Sequence, residues 1–543
     1  MSALLVVSFG VVSFTSADEK YFQLAKNLDL FASLYKEVNA NYVDEINPNQ
    51  LLRTGLKAML KKLDPYTVYI PEDDIEDYRT RATGEYGGIG IQSNKLRGKH
   101  IVLMVYENSP AGEAGMKISD EIISLDGIDV TDKSDAEFGK LLKGQAGTEV
   151  ELGLKRNNGK ELVTVNVKRE KITIPNISYS GMLTDDIGYL RVSEFTRDAG
   201  KEVRETVEGL KEKGAQKVVL DLRGNPGGLL NEAVNICNVF IPKGVKVVDT
   251  KGKTEAQSYV YNTRLDALDI SMPLTVLINS MSASASEIVS GVMQDYDRGV
   301  VIGQKSYGKG LVQITKPLSY NSQLKLTTAK YYTPSGRCIQ ALDYSYRRED
   351  GSVGKVADSL KSTFKTKNGR VVYDGGGVDP DVETQLVSLS SFTKNLEKSG
   401  LTFDYATKYY FEHSEIAEAK DFRLTDNEYA EFVSWMDSKS FENKSQAEET
   451  IIELKKAAKK DKVYRSLVED IASLEGAVAE LKSNGLQTYR AEIQRLLEAD
   501  IVSRYYLRKG TVEATLEQDT DVNKAIEVLN DQKQYAELLL GSS

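Results

Sequence analysis

Between about residues 175 and 385 the chain repeats one pattern: a short apolar run, a turn of small residues, then a segment with helical spacing. "KVVLDLRG", "LTVLIN" and "GVVIG" are the runs; "LLNEAVNICNVFI" and "SEIVSGVMQDY" are helix-like. Strands alternating with helices of this length need crossover connections and predict an α/β core on a largely parallel sheet. "GYLRVSEF" adds a strand, and "GLVQITKPL" with "QLKLTTAKYY", joined through "SYNS", reads as an antiparallel hairpin.

At 543 residues the chain is multidomain. Residues 1–17 are signal-like: the apolar run Leu4 to Phe14 is followed by small residues and a cleavage position after Ala17. The run falls short of the roughly 20 apolar residues of a membrane-spanning helix, and no Lys or Arg precedes it. It predicts export, to the periplasm of a Gram-negative cell, with membrane proximity if it stays uncleaved. Residues 18–82 form an N-terminal helical segment, with Leu24, Leu28, Phe31, Tyr35 and Val38 and then Leu52, Leu56, Met59 and Leu63 in stripes. Residues 83–170 read as a small β-rich domain, 171–385 as the α/β core, and 386–543 as a helical C-terminal extension. In that extension Leu467, Ile471, Leu474, Val478 and Leu481 mark a helix-pairing seam, which suits a platform or an oligomerisation segment.

Composition excludes several classes. A net charge of −10 without a basic run argues against a nucleic-acid surface. Cys237 and Cys338 make no disulfide framework, and with only His100 and His413 there is no zinc-binding cluster. Both cysteines read as small buried apolar residues.

The chemistry concentrates at "INSMSASASEIVSG", where Ser282, Ser284 and Ser286 sit on a strand-to-helix turn. Unpaired N–H groups and the helix dipole favour developing negative charge there. Taken alone, such serines are more often a helix cap or a tight packing site than a catalytic one. The lysine of "QKSYGKGLVQ", Lys309, follows the next strand and returns to the same sheet edge. A lysine desolvated at that edge would have a lowered pKa and could act as general base. No histidine lies between residues 101 and 412, so a Ser-Lys pair is the simpler arrangement. "VVLDLRGNPGGLL" ends a third strand in adjacent glycines able to aim bare N–H groups at a carbonyl, and it fits neither common phosphate-loop pattern.

Together these stretches resemble the carboxyl-terminal processing (tail-specific) proteases, Ser-Lys peptidases with a PDZ domain, over about residues 20 to 385. Lys309 stands 25 positions after Ser284, and Gln313 four after Lys309, as in that family. The resemblance implies a Clp protease/crotonase-like core with an inserted PDZ domain. It makes Ser284 the nucleophile, Lys309 its base, and Gln313 the residue that orients the lysine amine. The N–H groups of Gly228 and Ala285 would form the oxyanion hole. "GGIGI", Gly87, Gly88, Ile89, Gly90 and Ile91, resembles the PDZ loop and strand that capture a peptide C-terminus. "YVDEI", "LDPYT", "TPSGR" and "GGGVDPDV" match further family segments. Met281 stands where many members have Gly, and Ser119 replaces the usual Gly of the PDZ "GD" turn. The expected function is a serine endopeptidase acting on proteins with accessible C-termini, requiring no metal or nucleotide and forming a homo-oligomer. A silent PDZ scaffold and a crotonase-type acyl-CoA enzyme are the alternatives.

Overall fold

The structure, a computed structural model, describes residues 16–348, 352–386, 388–441 and 445–540. The signal-like segment therefore lies almost wholly outside the described residues. The chain forms two compact units, one running to Glu72 and including Gln313–Thr327, the other made of Asp73–Val312 and Thr328 onward.

In the first unit the predicted stripes lie on helices Ser16–Asn41 and Pro48–Lys61. Asn47 caps the second helix by accepting the Gln50 N–H, and Pro48 occupies the first turn, where a missing donor costs nothing. Leu63 falls beyond this helix. The following Asp64 carboxylate accepts the N–H groups of Tyr66 and Thr67, a local alternative to continued helix. Leu24, Leu28 and Phe31 are at least half exposed along the first helix. Strand Val68–Ile70 pairs antiparallel with the start of strand Gln323–Tyr332, Val68 opposite Lys325.

The second unit is built on a six-stranded sheet. Its strands are β1 (Ile177–Met182), β2 (Ile187–Val192), β3 (Lys217–Asp221), β4 (Leu274–Ile278), β5 (Val300–Gly303) and β6 (Val382–Glu383), side by side in that order. Only the β1–β2 pairing is antiparallel. Side chains alternate between the two faces. Leu190, Val218, Leu220, Val276 and Val301 lie on one face, under helices α1 (Ala199–Glu212), α2 (Leu230–Phe240) and α3 (Ala285–Asp295). Tyr189, Val219, Leu277 and Ile302 lie on the other. Both faces are buried, which is why these strands read as unbroken apolar runs.

What covers the second face comes from the far end of the chain. Val512 and Leu516 of α4 (Arg490–Leu516) and Val522, Ala525, Val528 and Leu529 of α5 (Thr520–Asn530) pack on it. Leu538 and Leu539 of α6 (Gln532–Leu540) pack at its margin. The extension thus ends as a layer of the α/β core rather than only as a platform. Its predicted seam lies on helix Tyr464–Ser483, beside Gln446–Lys460; Ile471 is buried, while Leu474 and Leu481 stay half exposed.

Strands 91–96, 99–105, 121–125, 149–156 and 161–168 form the sheet of the small β-rich domain, with strand 91–96 at its edge. Helix Asp135–Leu142 is opened by a reciprocal Ser134–Glu137 capping box. Ser119 has φ 81°, so the serine adopts the left-handed backbone that the family's glycine supplies more cheaply. His100 is buried in this domain, stacked on Phe138. Cys237 lies in the core as expected, its thiol pushed up by burial, whereas Cys338 is only partly buried.

Leu529→Ala should lower the unfolding free energy by about 2–4 kcal/mol, read from urea denaturation. An unchanged midpoint would mean that this helix is not part of the sheet's core.

Candidate active site

Three turns leave the C-terminal ends of β3, β4 and β5, which are adjacent and parallel. They are the glycine turn (Leu222–Gly228), the serine turn (Asn279–Ser284) and the lysine loop (Gln304–Gly310). Open α/β sheets gather ligands at such ends.

The serine turn is stitched to the glycine turn through its flanking serines. Ser282 Oγ accepts the Asn279 N–H at 2.9 Å and donates to the Leu222 carbonyl at 2.8 Å. Ser286 Oγ donates to the Asn225 carbonyl, which also accepts the Ala283 N–H. Both serines are fully buried, so their hydroxyls are structural. Ser284, between them, is partly exposed and has φ 55° and ψ −111°, an unfavourable conformation for a residue with a Cβ. Its backbone is held at both ends: the N–H donates to Glu287 Oε2 at 2.8 Å, and the carbonyl accepts the Tyr331 hydroxyl at 3.2 Å.

Glu287 joins the serine turn to the lysine loop. It is fully buried, and its Oε2 also accepts the Lys309 N–H at 2.9 Å. Oε1 accepts the Gly308 N–H and the Ser306 hydroxyl, both at 2.6 Å. Burial raises the pKa of this carboxyl, and the four donors oppose the rise. The Tyr307 N–H bonds the Ser282 carbonyl, a second tie between the same loops. The Lys309 side chain belongs to a half-buried residue at this junction.

Glycine is required at Gly227. With φ 90°, a Cβ there would lie 2.6 Å from the Ala283 carbonyl oxygen and 3.0 Å from Ser284 Cβ. The next residue, Gly228, bridges to Phe195 in strand fashion. Among the described residues, the N–H groups of Gly228 and Ala285 make no hydrogen bond. Met281 is exposed and outside the left-handed region, so the serine turn does not need glycine there. Gln313 belongs to the first unit, where its side-chain amide donates to Thr327 Oγ1 at 3.2 Å.

In the β-rich domain, Gly87 and Gly88 lie on strand Glu85–Gly88, paired with Glu170–Thr173. A Cβ on Gly87 would meet the Gly144 carbonyl oxygen at 2.1 Å. Ile89 is buried, Gly90 has φ 80°, and Ile91 begins the edge strand. A cleft of about 1020 Å³ opens beside Gly87, lined also by Tyr86, Lys143 and Gly144. Among the described residues, no cluster of three or more His, Cys, Asp or Glu is arranged to hold a metal ion.

Glu287 carries no role in the sequence reading, although Ser284-x-x-Glu287 has the capping-box spacing. Asn225 and Tyr331 carried no comparable signal.

A PDZ-bearing peptidase is the class these parts define. The description "Peptidase family S41" matches residues 186–345, "PDZ domain" residues 87–167, and "Probable PDZ-protease, C-terminal helical domain" residues 392–529. The carboxy-terminal-processing protease of Bartonella bacilliformis is 34% identical over 346 residues, 63% of this chain and 78% of its own. A probable CtpA-like serine protease of Staphylococcus aureus is 33% identical over 404 residues, covering 73% of this chain and 79% of its own. Among solved structures, the photosystem II D1 C-terminal processing protease aligns over 70% of this chain and 96% of its own, at 24% identity and a TM-score of 0.35. The chain belongs to the carboxy-terminal-processing proteases of peptidase family S41 and is a serine peptidase. That membership decides against the silent-scaffold and acyl-CoA alternatives.

Glu287→Gln should abolish measurable proteolysis and lower stability by about 1–3 kcal/mol, because either amide orientation sets an NH2 group against a backbone N–H. Peptidase assay and thermal unfolding together check this; wild-type activity in the variant would contradict it.

Proposed function

We propose that this peptidase cuts protein substrates with a Ser284–Lys309 dyad after its PDZ domain has taken up their C-terminal ends. The observation that carries the reading is the shared carboxylate oxygen of Glu287, which accepts the N–H groups of both Ser284 and Lys309. The neutral Lys309 amine takes the proton of the Ser284 hydroxyl as Oγ attacks the scissile carbonyl carbon. The developing oxyanion is received by the Gly228 and Ala285 N–H groups, for which the open donors and the N-terminus of α3 are the support. The resulting ammonium protonates the leaving amine. Lys309 then deprotonates a water that hydrolyses the acyl-enzyme and returns a proton to Ser284. Gln313, four residues after Lys309, takes the family role of orienting the amine.

For capture, Gly87, Gly88, Ile89, Gly90 and Ile91 lead into the edge strand, to which an extended peptide adds as a further strand. Export to the periplasm remains the reading of residues 1–17. Among the described residues no helix is long and apolar enough to cross a membrane. The homo-oligomer is supported by the exposed Leu24, Leu28 and Phe31 along the first helix. Its measure is solution mass with and without Leu28→Asp/Phe31→Asp.

Incubated with an unfolded protein, wild type should cleave, and Ser284→Ala and Lys309→Ala should each lose at least about a thousandfold in kcat. Amidating the substrate's C-terminus should raise KM with little change in kcat. Cleavage persisting in both variants would remove the dyad; indifference to amidation would remove terminal recognition.

A further inference from the structure

The glycine turn is fastened from outside the catalytic sheet. Arg223, the second residue of that turn, has a side chain only 13% exposed and is bound by three carboxylates. Asp221, fully buried at the end of β3, accepts both the Arg223 N–H and its guanidinium, and also the Tyr189 hydroxyl at 2.6 Å. The other two carboxylates come from the C-terminal extension. Asp519 takes two guanidinium N–H groups, each at 2.8 Å, and Asp521 takes a third at 2.9 Å.

The same two residues open α5. Asp519 is its N-cap, accepting the N–H groups of Asp521 and Val522, so part of its charge is spent on the helix end. Asp521 Oδ1 accepts the Thr384 hydroxyl at 2.6 Å, and Thr384 Oγ1 in turn accepts the Gln304 side-chain amide at 2.7 Å. Gln304 is the root of the lysine loop, and its N–H bonds the Ile278 carbonyl at the end of β4. One helix end therefore touches the root of the glycine turn directly, and the root of the lysine loop both through Thr384 and by a longer 3.4 Å bond from the Gln304 amide to Asp521 Oδ1.

We propose that Asp519 and Asp521 are positioning residues for the peptidase reaction, and that the site is incomplete without the start of α5. This rests on the dyad reading above. The guanidinium is a planar fork, and a bidentate carboxylate fixes its orientation as well as its place. With Asp519 and Asp521 in place, Arg223 has one position. The turn that follows then presents Gly227 against Ser284 and Gly228 toward the oxyanion. With them neutralised, Arg223 keeps only Asp221, and the turn gains freedom at the distance scale where reactivity is lost. Substrate capture, which belongs to the PDZ domain, is untouched.

The test uses the full chain with Asp519→Asn/Asp521→Asn, and an unfolded protein substrate. The expected result is a fall of about tenfold to a hundredfold in kcat with KM within about twofold of wild type. Val528→Ala, a buried contact at the other end of α5, is the comparison: it should lower the melting temperature at least as much while kcat at 25 °C stays unchanged. Should the double variant lose its folded signal, Asp521→Asn alone carries the same comparison with Asp519 still on Arg223. A kcat equal to wild type in the folded variant overturns the proposal, as does an equal loss in Val528→Ala. Cleavage by wild type that Ser284→Ala and Lys309→Ala each abolish tests the dyad separately, so a failure of the clamp is not a failure of the dyad.

Discussion

A sheet covered on both faces can offer polar chemistry only beyond the ends of its strands. β3, β4 and β5 have apolar side chains on both sides, and their residues are almost wholly inaccessible. Accessible polar groups on these strands are therefore carried on the three turns that leave them. Those turns start only a strand spacing apart, and parallel pairing puts them at one edge. The strand order is what brings three separated segments of sequence to one edge.

Closeness alone does not set geometry at the scale that acyl transfer needs. The precision comes from polar groups buried beneath the turns. Glu287 satisfies four donors from two loops, and a buried carboxylate is tolerable only when satisfied in this way. Ser284 keeps an unfavourable backbone because its N–H and carbonyl are each held by a buried side chain. Conformational strain persists where the surroundings over-determine it. Glu287, Tyr331 and Asn225 provide that over-determination. At the distal end of α3, the buried pair Arg337–Asp295 and the pairs of Arg370 with Asp297 and Asp381 fix the helix itself.

Local pattern made much of this legible. The unbroken apolar runs announced a sheet buried on both faces, and the small-residue turns after them announced the site. The capping-box spacing of Ser284 and Glu287 was also present, but its second use, receiving the lysine loop, depends on a strand-helix-strand path that spacing does not encode. The contacts of Arg223 with Asp519 and Asp521 span nearly three hundred residues, and no periodicity marks them. Val522, Ala525 and Val528 show an apolar face on α5, but a face does not name its partner. Hence the extension reads as a platform or oligomerisation segment, although its end packs on the core.

That arrangement gives the chain an order of assembly. The six strands are complete at Glu383, yet the helices that cover their second face begin only after Arg490. In a chain made from its N-terminus, Tyr189, Val219, Leu277 and Ile302 lack their cover until the residues of α4 to α6 have been added. The second face is covered by residues made after the whole sheet, so the sheet cannot be fully buried until the stretch from Val512 to Leu539 is in place.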